Sequence, residues 1–215
     1  AIDRAGLVGA AGETHQGVYD ISFLRVLPKI LIMTPSDESE MVKMLTTGYN
    51  HNGLAAVRYP RGKIAGVEFE NGFSETINIG KARRIRNGVD IAYLVFGTML
   101  SSIKKVAESN NATIIDMRFV KPIDEDIIVE VCNTHRYVFT VEDNTILGGA
   151  GSAVNEVLVK YRINKIVKNL GIPDETIPHG NQNDILASIG MDYNGILGTT
   201  SNHIKFMEEY EKKVR

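Results

Sequence analysis

"DIAYLVFGTMLSSIKKVAESNNATIIDM", residues 90–117, carries the clearest structural pattern in the chain. Its two ends are short apolar runs typical of buried strands, and the segment between them places apolar residues at helical spacing. The same pattern continues with a helical stretch at 123–133 and a third apolar run, "RYVFTVED", at 136–143. Strands that alternate with helices predict right-handed parallel crossovers and an open α/β sheet.

The sequence beyond the third strand predicts one long helix over 149–169, which Gly171 and Pro173 would end. The stretch "ETIPHG" at 175–180 is compatible with a further strand. A closing helix is expected near 200–213. The regular α/β pattern therefore extends to the end of the chain.

Before residue 78 the sequence predicts fewer strands and helices. The apolar run "KILIMTP" at 29–35 predicts a strand, and Ser36 is expected to cap the helix that follows. A short strand is predicted at 55–60, "AAVRYP". These elements form a βα unit with one more strand.

A polar, glycine-bearing stretch at 66–75 lacks helical periodicity and is interpreted as a linker. We therefore expect two domains, one over residues 1–77 with its linker and one over residues 78–215.

Composition limits the possible functions. The chain has 215 residues, 43% of them hydrophobic, and 24 Lys and Arg against 26 Asp and Glu give a net charge of −2. This balance gives no sign of nucleic-acid or anionic-membrane binding. The apolar runs are too short to span a membrane and the N-terminus does not resemble a signal peptide, so a cytoplasmic protein is expected. The one cysteine, Cys132, lies in an apolar helical pattern and is predicted to be a buried hydrophobic residue.

The stretch "DRAGLVGAAGETHQGVYD" at 3–20 has neither helical nor strand periodicity, and its four glycines around an arginine and a histidine indicate a binding loop. His15 can exchange a proton near neutral pH, which makes it a candidate catalytic residue. Arg4 and Arg61 are candidates for binding a substrate phosphate, because a guanidinium group can donate two parallel hydrogen bonds to phosphate oxygens.

Two other motifs favour a structural role. "GGAGSAVNEV" at 148–157 could hold a phosphate at a helix N-terminus, but it lacks the third glycine of a dinucleotide site and the lysine of a P-loop. Tight packing between strand and helix is the better interpretation. "HGNQNDIL" at 179–186 is interpreted as a turn and helix cap, because no second His or Cys lies at metal-binding spacing.

Several long motifs, taken in order, resemble the C-terminal half of the 1-deoxy-D-xylulose-5-phosphate synthase family of transketolase-like, thiamine-diphosphate-dependent enzymes. They are "DRAGLVGAAGETHQGVYDISFLR", "MTPSDESEM", "AVRYPRG", "MRFVKPID" and "VEDNTILGGAGSAVNEVL". The resemblance extends from residue 1 to about residue 200. It implies an incomplete pyrimidine-binding α/β domain, followed by an open-sheet α/β domain of the transketolase C-terminal type.

The resemblance implies a homodimeric enzyme that condenses pyruvate with D-glyceraldehyde 3-phosphate, releases CO2 and feeds isoprenoid and thiamine biosynthesis. Carried over by position, Arg4 and Arg61 hold the phosphate of the aldehyde, and His15 assists proton transfer at the cofactor-bound intermediate. The chain departs from the family pattern at Ala11, where the family usually has an acidic residue.

The family's magnesium- and diphosphate-binding domain has no counterpart in the sequence. We therefore expect thiamine diphosphate and Mg²⁺ to act in the complete enzyme but not to be bound by this chain alone, which should be inactive. One hypothesis is that the chain is a piece of a complete synthase. The alternative is a natural split or noncatalytic α/β subunit of a transketolase-like or 2-oxoacid dehydrogenase-like complex. In either case an uncovered apolar face predicts self-association.

Overall fold

The computed structural model describes residues 1–62, 66–67 and 75–214. The helices are α1 Asp20–Leu24, α2 Glu38–Asn50, α3 Leu100–Asn110, α4 Glu125–Thr134, α5 Ala150–Lys160, α6 Gln182–Ser188 and α7 Tyr193–Val214. The strands are β1 Leu31–Met33, β2 Ala55–Val57, β3 Arg83–Arg86, β4 Ile91–Phe96, β5 Thr113–Asp116, β6 Phe119–Lys121, β7 Tyr137–Thr145 and β8 Val167–Ile172. The predicted linker at 66–75 lies largely outside the described residues.

The larger sheet has the strand order β3-β5-β4-β7-β8. Strands β5, β4, β7 and β8 are parallel, and β3 joins the edge of β5 in the antiparallel direction. All six residues of the central strand β4 are buried. Its side chains alternate between two hydrophobic clusters, with Leu94 and Phe96 in one and Tyr93 and Val95 in the other. The sheet is therefore covered on both faces, as expected for an open α/β sheet.

The smaller sheet has the order β2-β1-β6. Strands β1 and β2 are parallel, as a βα unit requires, while β6 runs antiparallel to β1. Strand β6 follows β5 in the chain, so the second half of the chain adds a strand to the sheet of the first half. The sequence analysis did not predict this strand, because three residues carry too little periodicity.

The prediction of one long helix at 149–169 is wrong. Helix α5 ends at Lys160, and Arg162 then adopts a left-handed conformation with φ of 55°. The following residues form β8, which pairs in parallel with β7. On the side away from β4, the backbone N–H and C=O groups of β7 need hydrogen-bond partners, and β8 supplies them. This tertiary requirement outweighs the helical periodicity of the sequence.

No strand forms at 175–180. The stretch contains Pro178, whose nitrogen cannot donate to a strand ladder, and Pro173 lies just before it. The predicted turn and cap at 179–186 is confirmed, because the Asn181 side chain accepts from the N–H groups at the start of α6.

Ser36 is not the cap of α2. The cap is Asp37, whose Oδ1 accepts from the Glu40 N–H at 2.8 Å. The Ser36 hydroxyl instead donates to the buried Asp116 carboxylate at 2.8 Å. Ser36 and Asp37 are both residue types that can cap a helix, so the sequence leaves two possible caps. Because the Ser36 hydroxyl binds Asp116 on β5, Asp37 caps the helix.

Within the described ranges, the structure contains no helix that is both long enough and apolar enough to cross a membrane.

Candidate functional site

Residues 3–20 are here called the opening loop. Backbone hydrogen bonds join its two ends at Arg4, Gly6 and Gly17, here called the neck. The Gly17 N–H donates to the Arg4 carbonyl at 2.9 Å, and the Gly6 N–H donates to the Gly17 carbonyl at 2.8 Å. Gly6 has a φ of +74°, and a Cβ at this position would lie 3.0 Å from the Asp143 side chain. Glycine is therefore required here both by the backbone conformation and by the close approach.

Arg58, directly after β2, fixes this neck to the second half of the chain. Its side chain is 2% exposed, and its Nε donates to the Asp20 carboxylate at 2.7 Å. Nη2 donates to the Gly17 carbonyl at 2.7 Å, and Nη1 is paired with Asp143. Burial alone would lower the pKa of the Arg58 guanidinium, but the Asp143 and Asp20 carboxylates raise it above its ordinary value.

The tip of the opening loop lies against residues 177–182, which belong to the second half of the chain. A Cβ on Gly9 would come within 2.7 Å of the Gly180 carbonyl oxygen. A small apolar cluster lies beneath this contact. It is formed by Leu7, Val18, Ile172, Ile177 and Ile185. Both halves of the chain therefore build the surroundings of the loop.

A cavity of about 720 Å³ lies beside the loop, between the two halves of the chain. Leu7 and Arg61 line it from the first half, and Met99, Asp143 and Met191 line it from the second. The cavity walls combine apolar side chains with a few charged groups, as is typical of small-molecule sites.

The three predicted site residues differ in their relation to the cavity. Arg61 is exposed and lines the cavity, whereas Arg4 and His15 are not among the residues that line it. The Nε atom of Arg4 is buried and has no hydrogen-bond partner among the described residues, although it lies 3.7 Å from Asp3 Oδ2. His15 is exposed, and its Nδ1 lies 2.9 Å from the Thr14 hydroxyl. Their catalytic and phosphate-binding roles therefore remain predictions.

Sequence reasoning missed Arg58 and its partners Asp20 and Asp143. The position of Arg58 at the end of an apolar strand was the available signal. A buried arginine needs acidic partners, so this position could have predicted an ion pair. Nothing in the linear sequence identifies those groups, since Asp20 and Asp143 lie 38 and 85 residues away from Arg58.

The glycine motif at the start of α5 serves packing, as predicted. The N–H groups of Ala150 and Gly151 donate to the Glu142 carboxylate at 2.7 and 2.8 Å. A Cβ on Gly149 would lie 2.3 Å from the same carboxylate. Burial raises the pKa of Glu142 to about 7, although the two N–H groups and Arg58 act in the opposite direction. A side chain of the protein thus occupies the site that a phosphate would need.

Two further features limit the chemistry. Cys132 is buried in α4, and burial raises the pKa of its thiol to about 11, so the prediction of a buried hydrophobic residue is confirmed. In the part of the chain that the structure describes, no group of three or more His, Cys, Asp or Glu side chains could hold a metal ion.

Two family models match the chain. The model described as the transketolase pyrimidine-binding domain matches residues 1–66, and the one described as the transketolase C-terminal domain matches residues 80–196. The second covers more than half of the chain.

The chain is similar to curated 1-deoxy-D-xylulose-5-phosphate synthases. It is 53% identical to the protein of Aeromonas hydrophila over 196 residues, which is 91% of this chain and 31% of the relative. It is 53% identical to the protein of Escherichia coli strain SMS-3-5 over 197 residues, again 91% of this chain and 32% of the relative. The chain thus spans about a third of the length of the relatives it matches.

Solved transketolase structures share the fold. A split-gene transketolase, described as an inactive β4 tetramer, has a TM-score of 0.80 at 23% identity, covering 93% of this chain and 64% of that one. The transketolase of Campylobacter jejuni has a TM-score of 0.67 at 18% identity, covering 92% of this chain and 30% of that one. At these identities the likeness establishes the fold alone.

Proposed function

Because this chain belongs to the transketolase family, we propose that it forms the substrate-facing part of a 1-deoxy-D-xylulose-5-phosphate synthase. The complete enzyme would condense pyruvate with D-glyceraldehyde 3-phosphate and release CO2. The observation that carries the proposal is the 53% identity over 91% of this chain to curated synthases. The product would supply isoprenoid precursors and thiamine, and the expected location is the cytoplasm.

We propose that Arg61 and Arg4 bind the phosphate of the aldehyde substrate. Arg61 is exposed at the wall of the cavity, and the buried Nε of Arg4 lacks a hydrogen-bond partner among the described residues. Both features are typical of guanidinium groups that bind an anion. His15 would exchange a proton with the bound substrate, which its exposed position on the opening loop allows.

Thiamine diphosphate and Mg²⁺ are the cofactors of the proposed synthase. In a bound state the thiamine group supplies the carbanion chemistry. The described residues offer no metal-holding cluster, so they do not fit the magnesium and diphosphate end of the cofactor. We therefore assign that end to another part of the complete enzyme and derive no reaction step through it. The isolated chain is expected to form no product.

A second candidate is a natural split or noncatalytic subunit. The observation that favours it is the split-gene transketolase, whose inactive β4 tetramer shares the fold at a TM-score of 0.80. Under both candidates we propose that the chain assembles with a second copy. Exposed apolar side chains on and around α1 support this proposal, and they are Tyr19, Phe23, Val26 and Leu27.

A segment exchange tests the synthase proposal. The 197 residues of the Escherichia coli relative that match this chain are replaced by the corresponding residues of this chain, and product formation from pyruvate and D-glyceraldehyde 3-phosphate is measured. We expect activity from the chimera and a loss of at least a hundredfold in kcat with His15→Ala. The Ala11→Asp variant separates the effect of the missing acidic residue.

A folded chimera that binds thiamine diphosphate but makes no product, with either Ala11 or Asp at that position, would contradict the synthase proposal. It would favour the noncatalytic subunit. Measurable product from the unmodified 215-residue chain would contradict the expected inactivity.

A further inference from the structure

We propose that two glutamines, Gln16 on the opening loop and Gln182 on α6, are positioning residues that hold His15 in place. The inference rests on the proposed synthase function. It concerns the part of the opening loop between Leu7 and Gln16, here called the loop tip, which contains His15.

The two glutamines make reciprocal contacts between the loop and the second half of the chain. Gln16 Nε2 donates to the Ile177 carbonyl at 3.0 Å. In the opposite direction, Gln182 Nε2 donates to the Leu7 carbonyl at 2.6 Å. Leu7 and Gln16 are the two ends of the loop tip, so each end is fixed by one side-chain hydrogen bond to the same segment.

The loop tip also fits closely against that segment. The Gly180 N–H lies 3.4 Å from the Gly9 carbonyl oxygen, and a Cβ on Gly9 would come within 2.9 Å of the Gln182 nitrogen. A Cβ on Gly12 would touch the His179 side chain at 3.9 Å. The backbone of the tip therefore has little freedom to move toward α6, and the glutamines prevent movement away from it.

His15 itself has little to hold it. Its side chain is exposed, and its Nδ1 lies 2.9 Å from the hydroxyl of its neighbour Thr14. Its position therefore depends on the backbone of the tip. Gln16 is the next residue, so the bond from Gln16 to Ile177 anchors the backbone directly beside His15. The apolar cluster around Leu7 anchors the other end.

The first test measures hydrogen exchange of the tip amides in the 215-residue chain. Gln182→Met and Gln16→Met remove the amide donors but keep the side-chain length. We expect each variant to exchange about five to ten times faster at residues 8–15, because one hydrogen bond is lost, and the double variant to show about the product of the two factors. Ala187→Met, on an exposed position of α6, is the matched control and should leave the tip unchanged.

The second test uses the same variants in the segment-exchange chimera. We expect kcat to fall about tenfold or more, because a misplaced catalytic group slows the reaction step. The KM for D-glyceraldehyde 3-phosphate should change less than twofold, since Arg61 is not on the tip. Faster exchange together with a lower kcat at unchanged KM supports the inference.

Unchanged exchange at residues 8–15 in the double variant would overturn the inference even if the chimera is active. Faster exchange with unchanged kcat would overturn the positioning role and leave only a structural one. If a folded chimera that binds thiamine diphosphate makes no product with either Ala11 or Asp at that position, the proposed function fails separately. The inference that the glutamines hold the tip is then decided by the exchange rates alone.

Discussion

Arg58 and Arg61 lie three residues apart in one motif, yet they differ in burial. Arg58 is enclosed by two carboxylates and a backbone carbonyl, whereas Arg61 is exposed at the cavity. The sequence suggested a role for Arg61 through guanidinium chemistry and a family resemblance, and it gave Arg58 none. Residue types alone cannot make this distinction, because the acidic partners of Arg58 come from distant parts of the chain.

Replacing Arg61 with methionine tests its phosphate-binding role. In the segment-exchange chimera, Arg61→Met should raise the KM for D-glyceraldehyde 3-phosphate about tenfold to a hundredfold, because hydrogen bonds to charged groups contribute about 1.5–3 kcal/mol. The KM for pyruvate should stay within twofold, since pyruvate carries no phosphate. Arg162→Met, at an exposed position after α5, is the control. An unchanged KM for the aldehyde would remove Arg61 from the site.

Glu142 gives the protein a pH-dependent stability. Burial raises the pKa of its carboxyl from an ordinary value of 4.5 to about 7 in the folded state. The folded protein therefore binds more protons than the unfolded chain between these values, so the free energy of unfolding should fall as pH rises through this window. The fall assigned to Glu142 is of the order of 3 kcal/mol.

Urea unfolding at pH 5, 6, 7 and 8 measures this effect. The difference in unfolding free energy between the wild-type protein and Glu142→Gln should change across the window, because only the wild-type protein carries the titrating carboxyl. Other acidic groups contribute equally to both proteins and cancel. A difference that stays constant from pH 5 to 8 would show that Glu142 is charged throughout this range.

At the scale of elements, α5 depends on a close approach that only glycine permits. A Cβ on Gly149 would lie 2.3 Å from a Glu142 oxygen and 2.4 Å from the Thr145 carbonyl oxygen. Gly149→Ala should therefore destabilise the protein by about 2–3 kcal/mol, as overpacking of a rigid site does. Gly198→Ala in α7 is the control, because no atom lies within 4 Å of the added Cβ.

The control should be neutral or stabilise the protein by up to about 1 kcal/mol, since alanine favours a helix more than glycine does. Thermal unfolding of both variants measures the contrast. Equal melting temperatures for the two variants would mean that the start of α5 can move away from Glu142.

In the larger sheet, the strands that the sequence predicted well are those whose burial is complete. The apolar runs at β4, β5 and β7 lie inside the larger sheet, so their composition alone identified them. Strand β8 at the sheet edge is only partly buried and was mistaken for the end of a helix. Strand β6 was missed because its three residues carry little periodicity and its partner β1 is distant in the sequence. Edge strands depend on tertiary pairing, which local patterns do not contain.

The same distinction applies to the site. The glycine-rich sequence identified the opening loop, because backbone freedom is a property of single residues. The clamp at its neck and the contacts at its tip come from Arg58, Gln182 and the segment 177–182. These contacts join distant parts of the chain, so sequence reasoning could find the loop but not what holds it.

At the scale of the whole molecule, the two halves are joined by strand β6, the Arg58 ion pairs and the apolar cluster under the loop. A different surface remains open, where Phe23 and Val26 project from the short helix α1 and the turn after it. The carbonyl of Leu147, another exposed apolar residue, accepts from Ser22 on the same helix and extends the patch.

We expect this patch to mediate assembly with a second copy of the chain, because large exposed apolar surfaces rarely persist on monomers. Phe23→Glu and Val26→Lys should each weaken self-association at least tenfold, since a charge would be buried without a partner. Sedimentation velocity over a range of protein concentrations measures this. Val159→Lys on α5 is a matched control, with 79% exposure against 78% for Val26. A wild-type chain that stays monomeric at every concentration, or an assembly that neither patch variant weakens, would show that the patch is not the interface.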